Sequence, residues 1–65
     1  MSSNDVIILT RNSKMKGFDV IHKDIEDEKG YYSLTTHENL FMALHACKDL
    51  QDEYNPEYGI SLGNI

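Results

Sequence analysis

The sequence contains few of the residues that usually reinforce a small domain. Its 65 residues include one cysteine, one proline and no tryptophan. One cysteine cannot form an internal disulfide, and the Cys and His spacings match no structural zinc module. A chain this short buries only about 60% of the surface that its unfolded form exposes, so its core is marginal. We therefore expect a single domain over residues 1–65, with flexible ends at 1–4 and 63–65, that gains stability as a homodimer.

A long hydrophobic run is also absent. The stretch MSSNDVIILTRN has four consecutive apolar residues, at 6–9, far fewer than a signal-peptide core or a membrane span requires. We therefore expect no membrane segment. A lone thiol suits a reducing compartment, so the expected location is the cytoplasm.

Positive charge is scarce and unevenly placed. The net charge is −5; residues 1–23 carry four basic and two acidic side chains, and residues 24–65 carry two basic and nine acidic ones. An acidic surface repels a phosphate backbone, so nucleic acid is not an expected partner. The basic segment Arg11–Lys16 has two interpretations, a solvated loop, which is favoured, or a small local contact with nucleic acid. An acidic chain is suited to dock on a basic protein surface.

Hydrophobic residues follow two periods along the chain. An apolar run at 6–9 and alternating patterns at 18–23, 31–35 and 58–62 predict strands. Steps of three and four residues predict a helix over about 36–54 that ends at Asn55-Pro56. This order predicts an α+β fold: a three- or four-stranded, mainly antiparallel sheet packed on one α-helix, in the order β-β-β-α-β.

Two details of packing follow from the same patterns. Thr35 and Glu38 form a candidate capping box at the start of the helix, and Thr36 is an alternative cap. The predicted core consists of Val6, Ile8, Phe18, Val20, Leu34, Leu40, Leu44, Cys47, Leu50 and Ile60.

The acidic segment Asp24–Gly30 has carboxylates at alternate positions, as the start of an EF-hand loop does. Its glycine falls at loop position seven instead of six, and Thr35 stands where the bidentate glutamate belongs. The segment is therefore interpreted as a hydrated hairpin turn.

The histidines and the cysteine form no catalytic or metal motif. On a helix, His45 lies nearly opposite Cys47 and roughly 12 Å along the axis from His37, so neither pair can share a metal ion. Cys47 falls at the centre of the apolar stripe and is expected in the core. His22 is expected to be a half-exposed structural residue. We therefore expect no enzyme, cofactor or metal site.

Phe41 breaks the pattern of the predicted helix, because it projects away from the apolar stripe among polar residues. Such a side chain is covered either by its own sheet and loops or by another chain. The second alternative makes four residues candidates for an interaction site, because an aromatic anchor ringed by polar groups recurs at interfaces. These residues are His37, Phe41, His45 and Lys48.

The segment GYYSLTTHENLFMALHACKDL, with the predicted element order, resembles HicB-type antitoxins, whose small domains have an acidic hairpin, a G-Y-Y-like strand and a T-x-x-x-A-L helix. The resemblance covers about residues 18–50. The proline-glycine-cysteine loop that such antitoxins carry before the helix is absent from this sequence, as is a separate DNA-binding segment. The resemblance implies a dimeric, acidic partner of a basic protein, and it assigns no functional residue.

The leading hypothesis is a small, acidic, non-enzymatic protein-interaction module that acts as an inhibitor, regulator or assembly factor on another protein. Small acidic chains without catalytic motifs are frequent in phages and mobile elements, which suggests such an origin. The alternative function is a small-ligand sensor that binds in a groove between helix and sheet or across a dimer. Stabilisation by a metabolite would favour the sensor.

Overall fold

The computed structural model describes residues 4–12, 14 and 16–64. They form a four-stranded sheet with one α-helix packed on one face, in the order β-β-β-α-β, which confirms the predicted α+β fold. The strands are β1 (Asp5–Asn12), β2 (Gly17–Asp24), β3 (Ser33–His37) and β4 (Ile60–Leu62), and the helix is α1 (Leu40–Tyr54). Residues 1–3 of the predicted flexible leader and residue 65 of the predicted tail lie outside the described residues.

The sheet is mixed, with the strand order β3-β2-β1-β4. β2 is antiparallel to both β1 and β3, whereas β4 is parallel to β1. Parallel neighbours need a long crossover connection, and α1 lies within it. β1 is an interior strand as a result.

The core lies between α1 and the middle of the sheet. Ile7, Leu9 and Val20 are fully buried there against Ala43 and Cys47 of the helix. Phe18, Ala46 and Leu50 pack around this cluster while remaining partly exposed.

Of the two residues of β1 predicted in the core, Val6 is buried and Ile8 is half-buried, but neither belongs to the cluster against the helix. Ile7 and Leu9 face the helix, whereas Val6 and Ile8 lie on the opposite face of the sheet. A continuous apolar run contains no alternation, so the sequence of β1 does not distinguish its two faces.

Four other predicted core residues are exposed. Leu34 pairs with Ile21 on the sheet face opposite the helix. The buried residues of α1 are Ala43 and Cys47, and all three residues of β4 are exposed. The exposed residues are Leu34, Leu40, Leu44 and Ile60.

The helix begins later than predicted. Asn39 is its N-cap, and the Asn39 side chain accepts a hydrogen bond from the Met42 backbone N–H at 3.0 Å. Thr35 and Thr36 lie in β3 instead, because that strand pairs with β2 as far as His37. The predicted capping box is therefore wrong.

The helix ends where predicted, at Asn55, which adopts the left-handed conformation with φ of 46° and donates its N–H to the Gln51 carbonyl. The chain then enters β4, which runs parallel to β1. Beyond β4, Gly63 N–H donates to the Leu9 carbonyl, and Arg11 N–H donates to the Asn64 carbonyl, both at 2.8 Å.

Candidate functional site

Phe41 is the most exposed large apolar side chain of the described residues, at 79%. It occupies the second position of α1, away from the buried Ala43 and Cys47. Of the two alternatives for this residue, cover by its own sheet and loops is therefore wrong. Contact with another chain stays a prediction.

A groove of about 500 Å³ runs beside Phe41 on the outer side of α1. We call it the Phe41 surface; it is lined by His37, Phe41, Met42, His45, Ala46 and Asp49. Three of the four predicted interaction residues thus meet in one place. Lys48 is not among the lining residues, and its Nζ lies 4.0 Å from Asp52 Oδ2 in an exposed pair of the kind that contributes little to stability.

His37 reaches the Phe41 surface from a different element than predicted. It was placed on the helix, but it is the last residue of β3. Its Nε2 is hydrogen-bonded to Thr35 Oγ1 at 2.8 Å. A strand end and the first turns of the helix therefore build the surface together.

Exposed apolar side chains are abundant over the rest of the molecule. Among the described residues, twelve large hydrophobic side chains are exposed, whereas six hydrophobic residues are buried. Large exposed apolar patches usually mark interaction sites.

Cys47 is fully buried, and burial raises the pKa of its thiol. Its predicted place in the core is confirmed. Among the described residues, no three His, Cys, Asp or Glu side chains are grouped so as to hold a metal ion.

A buried Asp–His pair was missed by sequence reasoning. His22 Nε2 donates a hydrogen bond to Asp5 Oδ2 at 2.8 Å, and both residues are only 5% exposed. The other oxygen, Asp5 Oδ1, accepts the Glu57 backbone N–H at 3.3 Å. The expectation of a half-exposed His22 is therefore wrong.

Two tyrosines cover the imidazole of His22. The ring centroids of Tyr32 and Tyr54 lie 5.0 and 4.8 Å from the His22 centroid, with tilted planes. Tyr54 is the last residue of α1, and Ser33 lies opposite His22 in the β2–β3 register. Together with Asp5 these residues line a cleft of about 470 Å³, the His22 cleft.

The sequence contained a partial signal for this site. His22 shares the core-facing side of its strand with Phe18 and Val20 in the period-two pattern. A histidine buried at such a position requires a hydrogen-bond partner. The choice of Asp5 depends on the register between β1 and β2, which the apolar run of β1 does not reveal.

The basic segment borders a third cleft, of about 590 Å³. The Arg11 guanidinium lies 5.7 Å from the centroid of the Phe18 ring, within the range of cation–π contacts. Lys14 and Lys16 line the same cleft and are exposed, which agrees with the solvated interpretation of this segment. Ser13 and Met15 lie outside the described residues.

The acidic segment connects β2 to its antiparallel neighbour β3. Asp27 Oδ1 accepts backbone hydrogen bonds from Gly30 at 2.8 Å and Lys29 at 3.2 Å. These two bonds lower the pKa of the Asp27 carboxyl. The local structure is a tight turn, as the sequence predicted.

None of the helical segments in the described ranges has the length and apolar character needed to span a bilayer.

No family model, curated protein or solved structure matches this chain. The resemblance of residues 18–50 to HicB-type antitoxins therefore gains no support from these comparisons.

Proposed function

We propose that the protein is a non-enzymatic interaction module that acts as an inhibitor, regulator or assembly factor by occupying a surface of another protein. The observation that supports this function is the exposure of Phe41 beside a groove. Fully burying one phenylalanine against a partner is worth about 2 kcal/mol. The neighbouring Met42, which is also exposed, adds apolar area of a type that adapts its shape to a partner.

Phe41 is an aromatic anchor, and polar residues form a rim around it. His37, His45 and Asp49 border the apolar residues of the groove. At interfaces, a central aromatic residue supplies much of the binding energy, while the surrounding polar residues exclude water and set specificity.

The charge of the chain favours a basic partner surface. The net charge is −5, and Asp49 of the Phe41 surface is followed along α1 by the exposed Asp52 and Glu53. Opposite charge on a partner accelerates association and selects against acidic competitors.

The proposal includes a homodimer as the first assembly, because a small core leaves many apolar side chains exposed. We further propose a cytoplasmic location, based on the single reduced thiol. We also propose that the protein is encoded by a phage or a mobile element.

Light scattering over a wide concentration range, on the wild type and on Phe41→Asp, tests the proposal. An aspartate in the first turn is favourable to a helix, so the variant should keep its fold. We expect the wild type to form a dimer and Phe41→Asp to be monomeric.

Tyr58→Asp is the matched control, because Tyr58 is an exposed aromatic residue beyond the other end of α1. It introduces the same charge and should leave the mass unchanged. If the wild type is monomeric, the same pair of variants is compared for capture of a basic protein partner. Equal mass and equal capture by wild type and Phe41→Asp would refute the proposed role of this surface.

A further inference from the structure

The His22 cleft lies at the far end of α1 from Phe41, and it shares no lining residue with the Phe41 surface. Its floor is the Asp5–His22 pair. Both carboxylate oxygens of Asp5 accept hydrogen bonds, from His22 Nε2 and from the Glu57 backbone. A carboxylate that holds one ring nitrogen fixes the orientation of the imidazole.

The other ring nitrogen of His22, Nδ1, is available to a ligand. Among the described residues it has no hydrogen-bond partner, yet it is not sealed from solvent. His22 itself is about nineteen-twentieths buried and lines the cleft. A fixed polar atom on the floor of an open cleft is the type of group that orients small ligands.

The walls of the cleft are aromatic. Tyr32 and Tyr54 each contact the imidazole, and each keeps more than half of its surface exposed. Flat rings stack on such side chains, and the Ser33 hydroxyl, which also lines the cleft, both donates and accepts hydrogen bonds.

The charge around the cleft disfavours anions. Among the described residues that line it, none is lysine or arginine. Asp24 and Asp27 line the adjacent cleft, which shares Tyr32. A phosphate or carboxylate group on a ligand would be repelled at this position.

We propose that the His22 cleft is a binding site for an uncharged planar heterocycle, such as a free nucleobase or nicotinamide. One polar edge of the ligand bonds to His22 Nδ1, and its ring face stacks on Tyr32 or Tyr54. The cleft volume of about 470 Å³ falls within the range of small-molecule sites. The protein is then a ligand sensor as well as an interaction module.

NMR titration of the full chain tests this inference, with adenine, cytosine and nicotinamide as neutral probes and adenosine monophosphate as the anionic probe. We expect at least one neutral probe to shift the ring nitrogens of His22 and the amides of Ser33 and Tyr54 in a saturable way. The anionic probe should bind more weakly than adenine.

Tyr54→Leu should weaken binding of that probe by about tenfold, because the stacking surface is lost. Tyr58→Leu removes an exposed tyrosine outside the cleft and should leave the affinity unchanged. If Tyr54→Leu is unfolded, Tyr32→Leu replaces it as the test. The inference is overturned if no neutral probe shifts His22, if adenosine monophosphate binds as tightly as adenine, or if the folded variant of Tyr54 or Tyr32 binds like wild type.

Discussion

Asp5 and His22 are joined across neighbouring strands by a buried 2.8 Å hydrogen bond. In the register of β1 and β2, Asp5 is paired with Asp24 and His22 with Ile7, so the contact between the two side chains is diagonal. Through its second oxygen, Asp5 also binds the backbone of Glu57, beyond the helix. One carboxylate therefore connects both strands of the hairpin to the segment that leads into β4.

Asp5→Asn should destabilise the fold by about 1.5 kcal/mol, because the charged acceptor of the His22 and Glu57 hydrogen bonds becomes a neutral amide in a buried site. Chemical denaturation measures the loss in the free energy of unfolding. The dependence of this free energy on denaturant concentration is compared between the variants. Asp52→Asn makes the same chemical change at an exposed helix position outside the Phe41 surface and should alter the free energy of unfolding by less than about 0.5 kcal/mol. Equal stability of the two variants would mean that the buried pair contributes nothing.

Asn39→Ala should cost about 1 kcal/mol, because it removes the side chain that accepts the Met42 N–H at the start of α1. Glu38→Ala removes the glutamate of the capping box that the sequence suggested and should change stability by less than about 0.5 kcal/mol. Thermal and urea unfolding of both variants measures the difference. A larger loss for Glu38→Ala would restore the sequence-based interpretation of the helix start.

Cys47 should react slowly with a thiol-specific reagent at neutral pH. Burial raises its pKa, so the reactive thiolate is disfavoured while the protein is folded. In a marginal domain the unfolded fraction is about one in a thousand or less, so we expect a reaction at least about a hundredfold slower than in urea. A similar rate in buffer and in urea would contradict the burial of this thiol.

The turn at Asp27 should depend on pH. Two backbone hydrogen bonds lower the pKa of Asp27 in the folded protein, so its contribution to the turn is present above the ordinary aspartate pKa and is lost as the pH falls through the folded value. The amide shifts of Lys29 and Gly30 should titrate with a midpoint below that of an unperturbed aspartate. Asp27→Ala should remove this titration, and its persistence in that variant would assign it to another group.

The element order was predictable because each segment carries a local signal. Alternation in β2, three- and four-residue steps in α1 and Asn55-Pro56 at its end all depend on neighbours along the chain. The tight turn at Asp27 was predictable for the same reason.

The geometry of the site was harder to predict from the sequence, because it depends on pairings between distant segments. Phe41 was recognised as an outward residue from the helical period alone. His37 was placed on the wrong element, since the sequence contains two threonines and an asparagine that can all cap a helix, and pairing with β2 decides between them. The Asp5–His22 contact required the register of β1, which four consecutive apolar residues leave undetermined.

The parallel pairing of β4 with β1 has a consequence for the kinetics of folding. β1, β2 and β3 are neighbours in sequence and can pair through short connections, whereas Ile60 and Leu62 reach Ile7 and Leu9 from the opposite end of the chain. Closing that long loop costs more entropy than closing the hairpins, so β4 should dock late. Until it does, β1 is an unpaired, strongly apolar edge, and the partly folded chain is at its most prone to aggregation.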